Sequence, residues 1–185
     1  LGADRIRIFH FDPKSGVVSP NTPADVAVKP GAGPRHFTFS PDGHFAYLIC
    51  EMGSLVVAYR YDASAGSLTE IQTASTLPDG FAGENNCAEI EVDPGGRFLY
   101  ASNRGHDSIA VFAVGNRGAL TLVEYTSTRG QTPRNFALDP NGRWLVAANQ
   151  QSGTLAVFSI DQRTGTLSPV GPLTSVGSPV SVLFM

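Results

Sequence analysis

Long apolar runs, a strong charge of one sign and a framework of cysteines are all absent from this sequence of 185 residues. Its longest apolar stretches are far shorter than the ~20 residues of a membrane-spanning helix, so we predict no contact with a membrane. With 13 Lys and Arg against 16 Asp and Glu, the net charge is −3, which offers no broad positive field to a nucleic acid. Nucleic acids and membranes are therefore excluded as expected partners.

Sequence motifs for metals and cofactors are also missing. There is no GxSxG elbow, phosphate loop, dinucleotide fingerprint or zinc motif, so we expect neither a metal nor an organic cofactor. The two cysteines, Cys50 and Cys87, do not form a disulfide framework. They fit a reducing compartment about as well as an oxidising one, and we expect the cytoplasm.

Glycine and proline are abundant, with 20 and 13 residues, which is typical of many turns between short strands. An internal repeat supports this interpretation. Residues 39–47, 92–100 and 138–146 each read as a strand, a Pro/Asp/Gly turn and a second strand. A third strand follows at 55–61, 109–114 and 155–160, with an extra copy at 6–11, and a fourth begins at 66, 118 and 165. Four antiparallel strands in about 50 residues are typical of a β-propeller blade.

The repeat therefore predicts an all-β fold in which residues 1–185 form a single incomplete β-propeller of about four blades. These comprise the outer half of one blade, three whole blades and a final strand near 180–184. We expect Trp144 and the repeated aromatic residues, among them Phe9, to lie in the core. The broken first blade suggests that this is the C-terminal part of a longer chain. An open blade exposes apolar surface, which predicts either missing N-terminal blades or self-association.

Polar residues recur where the scaffold does not require them. They lie at the start of the first strand and at the end of the second, always 16 residues apart, and a hairpin brings these two positions to the same edge of a blade. At the start of the first strand, the three repeats have Arg35, Ala88 and Arg134, followed directly by His36, Glu89 and Asn135. At the end of the second strand, they have Glu51, Arg104 and Gln150, preceded directly by Cys50, Asn103 and Asn149. These residues predict a polar rim near the ring axis.

Such a rim suits a small anion. Arginine forks bind phosphate or carboxylate in bidentate fashion, and Glu51 or His36 can act as a general base. The structural alternative is that arginine and glutamate at strand ends form salt bridges between blades, and that His36 satisfies a backbone carbonyl. Cys87 lacks a partner at a suitable spacing for a thiol nucleophile.

Several segments together resemble one known family. Residues 33–37 (GPRHF), 40–43 (SPDG), 102–109 (SNRGHDSI), 132–136 (TPRNF) and 1–5 (LGADR) are similar to the lactonase family of seven-bladed propellers. Its named members are 6-phosphogluconolactonases, and fungal carboxy-cis,cis-muconate cyclases are relatives. The resemblance covers essentially the whole chain. It implies hydrolysis of 6-phospho-D-glucono-1,5-lactone in the pentose phosphate pathway, without a metal or organic cofactor.

The resemblance also implies roles for the rim residues. By motif position, the family's arginine and glutamate correspond to Arg35 and Glu51, and a further arginine to Arg104 or Arg134. The family's upstream histidine has no counterpart in this chain. The expected machinery is catalytic Arg35, His36 and Glu51, with the substrate and its phosphate held by Arg104, His106, Arg134, Asn103 and Asn135.

Two other functions remain open from the sequence. In a muconate-type cyclase the same arginines would hold carboxylates. A non-enzymatic binding module would carry a large apolar or uniformly charged face, whereas the charge of this chain is mixed and concentrated on a small rim.

Overall fold

A computed structural model describes all 185 residues, which form 14 strands and no helix. Blade 1 is a two-stranded sheet of β1 (Arg5–Phe11) and β2 (Val18–Ala27). Blade 2 comprises β3 (Pro34–Phe39), β4 (Phe45–Cys50), β5 (Leu55–Asp62) and β6 (Ser67–Ser75). Blade 3 comprises β7 (Asn86–Val92), β8 (Phe98–Arg104), β9 (Ser108–Val114) and β10 (Leu120–Ser127). Blade 4 comprises β11 (Pro133–Leu138), β12 (Trp144–Asn149), β13 (Thr154–Ile160) and β14 (Leu167–Ser175).

The predicted all-β propeller is confirmed, with three four-stranded blades and half of a fourth. Each blade is an antiparallel meander, and the third strands begin within one residue of their predicted positions. The fourth strands begin one or two residues after their predicted positions, and each continues past an irregularity in its pairing. With no helix present, none is available to cross a membrane.

The turns of the repeated hairpins form as their sequences predict. In blade 3 the carboxylate of Asp93 accepts hydrogen bonds from the backbone N–H groups of Gly95, Arg97 and Phe98. Asp139 does the same in blade 4 for residues 141, 143 and 144. These aspartates are therefore committed to the scaffold, at the end of the hairpin opposite the polar rim.

Neighbouring blades meet along their first strands, since β7 contacts both β3 and β11. The apolar core lies between the blades: one buried cluster joins blades 2 and 3, and another joins blades 3 and 4. A blade therefore has two apolar faces, each covered by a different neighbour. This arrangement holds β3, β7 and β11 side by side at the inner edge of the fold.

One packing motif repeats at successive blade interfaces. The ring of Phe45 in blade 2 lies so close to Gly118 in blade 3 that a β-carbon there would approach it to 2.3 Å, and Phe98 in blade 3 approaches Gly165 in blade 4 in the same way. Both glycines also have a positive φ, of 77° and 75°. A glycine socket in one blade therefore receives an aromatic knob from the blade before it.

Three sequence expectations about the ends of this array are wrong. Trp144, at the knob position of blade 4, is 41% exposed, because no following blade provides a socket. Phe9 is 54% exposed, whereas its counterparts Tyr59, Phe112 and Phe158 are buried, because each counterpart packs in a cluster shared with the preceding blade and no blade packs on that side of blade 1 in this structure. Residues 180–184 form no strand, because no neighbouring strand pairs with them. Self-association through the exposed apolar surface stays a prediction.

Candidate functional site

A bulge places the two arginines of the first strands. Pro34 pairs with Cys50 and His36 with Ile49, so Arg35 is an extra residue outside the ladder, at the end of β3 beside Glu51. Pairing in blade 4 skips Arg134 in the same way. The bulge lies at the same place in each blade. Both arginines therefore lie at the rim end of their strands, next to the exits of β4 and β12.

Glu51 binds two of the rim arginines. Its Oε1 accepts a hydrogen bond from Nη2 of Arg104 at 2.6 Å, and its Oε2 lies 3.3 Å from Nε of Arg35. Arg104 is also tied to the backbone, because its Nη2 and Nε donate to the carbonyl oxygens of Cys87 and Asn86 at 2.9 and 3.3 Å. Arg104 is therefore held by the protein itself, and it links blade 3 to blade 2.

Arg35 joins the cluster around Glu51 to a second cluster, which consists of His36, Glu89 and Asn135. Its Nη1 donates to Nε2 of His36 at 3.1 Å, and Nδ1 of His36 lies 2.7 Å from Oε1 of Glu89 in blade 3. The other carboxylate oxygen of Glu89 accepts a hydrogen bond from Nδ2 of Asn135 in blade 4. A continuous chain of polar contacts therefore crosses three blades along their first strands.

Charge and burial are unevenly distributed in these clusters. Arg35 and Glu89 are largely buried, with side chains 14% and 12% exposed, whereas His36 is 41% exposed. Burial lowers the pKa of the Arg35 guanidinium, Glu51 opposes that effect, and the nearby Arg104 and Arg134 add to it. Of Arg35, His36 and Glu89, His36 is therefore the most accessible to a ligand.

An open cleft of 630 Å³ lies over this second cluster. Its lining residues are Arg35, His36, Glu89, Arg134, Asn135, Gln150, Val180 and Ser181. Glu51 and Arg104 do not line it. No hydrogen bond or ion pair engages the guanidinium of Arg134, so the cleft contains one cation without a protein partner.

Four of the predicted site residues do not line the cleft: Glu51 and Arg104, described above, and Asn103 and His106. Asn103 is fully buried, and its amide accepts from Oγ1 of Thr76 at 2.8 Å and donates to the backbone carbonyl of the same residue at 2.7 Å. This burial contradicts the expected substrate contact of Asn103. The ring of His106 bonds to Oγ of Ser108 at 2.6 Å and packs edge-on against Phe81. Both residues shape the loops beside the cleft rather than its lining.

Two carboxylates were not among the predicted site residues. Glu89 joins His36 to Asn135; the repeat alignment placed all three residues at one position of the polar rim, but it gave Glu89 no role in the site. Glu91 lies two residues further along β7, and its Oε2 accepts from the backbone N–H of Leu138 at 3.0 Å. Burial raises the pKa of Glu91 to about 7, the Leu138 hydrogen bond opposes this, and the charge of Glu89 adds to it. No sequence signal distinguishes Glu91 from an ordinary strand residue.

The cleft combines a hydrogen-bond acceptor, a cationic donor and a free cation. Nε2 of His36 and Nη1 of Arg35 are neighbours. A proton acceptor for water and a hydrogen-bond donor for a developing oxyanion therefore lie side by side. No three His, Cys, Asp or Glu side chains are arranged to hold a metal ion. The geometry suits addition of water to a carbonyl group in an anionic substrate.

Comparison with known proteins agrees with the fold. The family profile described as Lactonase, 7-bladed beta-propeller matches residues 1–184. The 6-phosphogluconolactonase of Bacillus subtilis is 41% identical over 186 residues, which cover 100% of this chain and 52% of that protein. A homologue in Pectobacterium carotovorum, also named 6-phosphogluconolactonase, is 40% identical over 92% of this chain and 51% of its own length.

Solved structures give the same result. The periplasmic gluconolactonase of Pseudomonas aeruginosa superposes with a TM-score of 0.91 at 38% identity, over 97% of this chain and 50% of its own. A Lactobacillus plantarum protein gives a TM-score of 0.92 at 34% identity, over 96% and 51%. The chain thus spans about half the length of the relatives that it matches. From its sequence, its blades and these matches, the chain belongs to the lactonase family of seven-bladed β-propellers.

Proposed function

We propose that the rim cleft hydrolyses a phosphorylated sugar δ-lactone, 6-phospho-D-glucono-1,5-lactone, to 6-phosphogluconate, as a step of the pentose phosphate pathway. The observation that carries the proposal is the contact between Nε2 of His36 and Nη1 of Arg35, beside the unpaired guanidinium of Arg134. The names of the Bacillus and Pectobacterium relatives support this choice of substrate.

In this reaction His36 is the general base and Arg35 the oxyanion donor. When substrate and water replace the contact between Arg35 and His36, Nε2 of His36 takes a proton from water as the water oxygen adds to the lactone carbonyl, and the freed Nη1 of Arg35 donates to the oxygen that becomes negative. The bond between the carbonyl carbon and the ring oxygen then breaks, and the ring oxygen receives the proton from His36. The products are a hydroxyl group and a carboxylic acid, which ionises in water.

Glu51 is a poorer candidate for the base than His36. Its two oxygens already face Arg104 and Arg35, and it does not line the cleft. We assign Glu51 and Arg104 the task of holding Arg35 in place. Each interaction with the transition state is worth about 10²- to 10³-fold in rate, which suffices for an already activated δ-lactone.

The phosphate is assigned to Arg134. Arg104 is engaged with Glu51 and two carbonyl oxygens, whereas Arg134 lines the cleft without a partner. A guanidinium matches two phosphate oxygens in a fork-like geometry. Gln150 and Asn135 lie beside it in the cleft and offer amide donors.

Lactone hydrolysis by the chain, corrected for spontaneous ring opening, tests the proposal. Arg134→Ala should raise KM about tenfold or more for the phosphorylated lactone and leave KM for unphosphorylated gluconolactone nearly unchanged. Arg117→Ala, at an exposed arginine in the turn before β10, is the matched control. An equal effect on both lactones would contradict the role of Arg134.

The same assay separates the other functions. If Arg35→Ala and the unaltered chain hydrolyse the lactone equally fast, the hydrolase assignment fails. Turnover of a carboxymuconate in place of the lactone would indicate the cyclase, in which the arginines hold carboxylates. Tight binding of 6-phosphogluconate without turnover of either substrate would indicate a binding module.

The proposed compartment is the cytoplasm. Both cysteines are free thiols in the structure, which agrees with a reducing environment. The related Pseudomonas gluconolactonase is named periplasmic, so the family is not confined to one compartment. Fractionation of the source cells followed by immunodetection decides the question for this protein.

A further inference from the structure

The carboxylate of Glu89 is surrounded by hydrogen-bond donors from three first strands. Oε1 accepts from the backbone N–H of Ile90 at 3.1 Å and lies 2.7 Å from Nδ1 of His36. Oε2 accepts from Nδ2 of Asn135, whose own carbonyl oxygen accepts from the N–H of Val182 at 2.7 Å. The orientation of the Asn135 amide is therefore fixed as a donor towards Glu89. An ionised carboxylate only accepts hydrogen bonds, so His36, Ile90 and Asn135 must each donate one to it.

The tautomer of His36 follows from its two neighbours. A guanidinium can only donate, so the contact of Nη1 of Arg35 with Nε2 requires a lone pair on Nε2. The ring proton is then on Nδ1, where it points at Oε1 of Glu89. A carboxylate on one side and a guanidinium on the other thus select the same tautomer.

We propose that Glu89 is a positioning residue that holds His36 as the Nδ1–H tautomer, so that the lone pair of Nε2 faces the cleft and Arg35. This inference rests on the proposed function, in which His36 is the base, and adds the residue that selects its tautomer. Glu89 itself acts through His36 and does not touch the reacting atoms. Asn135 and the N–H of Ile90 orient the carboxylate in turn.

The variant Glu89→Gln tests the proposal because it keeps the size of the side chain and adds an N–H₂ donor. Ile90 and Asn135 both present donors, so that N–H₂ group can find an acceptor only if His36 releases its Nδ1 proton and becomes the Nε2–H tautomer, or if Asn135 turns and abandons Val182. In Glu89→Asp the carboxylate is retained. Glu84→Gln, at an exposed glutamate, is the control.

Imidazole ¹⁵N spectra of the histidine-labelled chain at pH 8 provide a readout that needs no turnover. The chain has four histidines, and His36→Gln identifies the signals of His36. We expect Nδ1–H in the unaltered chain, in Glu89→Asp and in Glu84→Gln, and Nε2–H in Glu89→Gln. An Nε2–H tautomer in the unaltered chain overturns the proposal even if Glu89→Gln fails to fold. An unchanged tautomer in folded Glu89→Gln, with the side-chain amide signals of Asn135 also unchanged in an asparagine-labelled sample, overturns it as well.

Kinetics then separate this inference from the proposed function. Glu89→Gln should lower kcat about 10²-fold with little change in KM, and Glu89→Asp should restore part of the loss. A change of tautomer without any loss of kcat would leave Glu89 as the positioning residue and remove His36 as the base. A loss of kcat with the tautomer unchanged would instead overturn the role of Glu89.

Discussion

Glu91 makes the stability of the chain depend on pH in a way that one substitution removes. Its pKa is about 7 in the folded chain, against an ordinary 4.5, because the carboxyl group is buried and the charge of Glu89 is close. Between these two values the folded chain binds a proton that the unfolded chain releases. Stability from this group is therefore full below about pH 4.5 and is lost as the pH rises through about 7.

The size of the effect follows from the two pKa values. Each pH unit between them corresponds to about 1.4 kcal/mol, so the loss amounts to about 3 kcal/mol in total. Glu91→Gln removes the titration and keeps an oxygen that accepts from the N–H of Leu138. The free energy of unfolding of the variant, minus that of the unaltered chain, should therefore rise by about 3 kcal/mol between pH 4.5 and pH 8. Any pH-independent effect of the substitution itself does not alter this rise.

Urea unfolding followed by circular dichroism at several pH values measures this difference. All other titrating groups are shared by the two proteins, so they cancel in the comparison. Glu84→Gln, with an exposed carboxylate, should run parallel to the unaltered chain. If the free energy of unfolding of Glu91→Gln also follows that of the unaltered chain at every pH, within about 0.5 kcal/mol apart from a constant difference, the inference that Glu91 is protonated in the folded chain near neutral pH is refuted.

Two further predictions concern the core. Gly118→Ala should destabilise the chain by about 2–4 kcal/mol in urea unfolding, because the residue has a positive φ and its β-carbon would meet the ring of Phe45. Gly43→Ala has a similar φ and open space around it, so it should cost only about 1 kcal/mol, and equal costs would contradict the socket. Burial raises the pKa of Cys87 to about 11 and of Cys50 to about 12, so neither thiol should react with Ellman's reagent at pH 8 until the chain unfolds. Rapid reaction of the folded chain would show that these thiols are accessible.

The fold was largely predictable because its information is local and repeated. The Pro/Asp/Gly turns and the alternating strands recur every 46 to 53 residues, so any one blade supports the interpretation of the others. The exposure of Trp144 was not predictable from its own sequence position. It depends on whether another blade follows, and a hydrophobic residue carries no sign of the neighbour that would cover it.

The site was predictable in position but not in pairing. The constant spacing of 16 residues correctly placed Arg35 beside Glu51 and Arg134 beside Gln150. It could not show which arginine Glu51 would hold most closely, because that depends on the bulges and on side-chain reach between blades. Asn103 illustrates the remaining error, since its repeat position is at the rim while its amide turns inward to Thr76.

The aromatic knob and glycine socket have a consequence for how such chains diversify. Because Phe45 with Gly118 and Phe98 with Gly165 form the same contact at two interfaces, blade 3 carries both a glycine socket for the blade before it and an aromatic knob for the blade after it. Duplication or exchange of one complete blade would conserve both junctions, while the residues at the inner edge remain free to change. Substrate preference can then evolve independently of assembly.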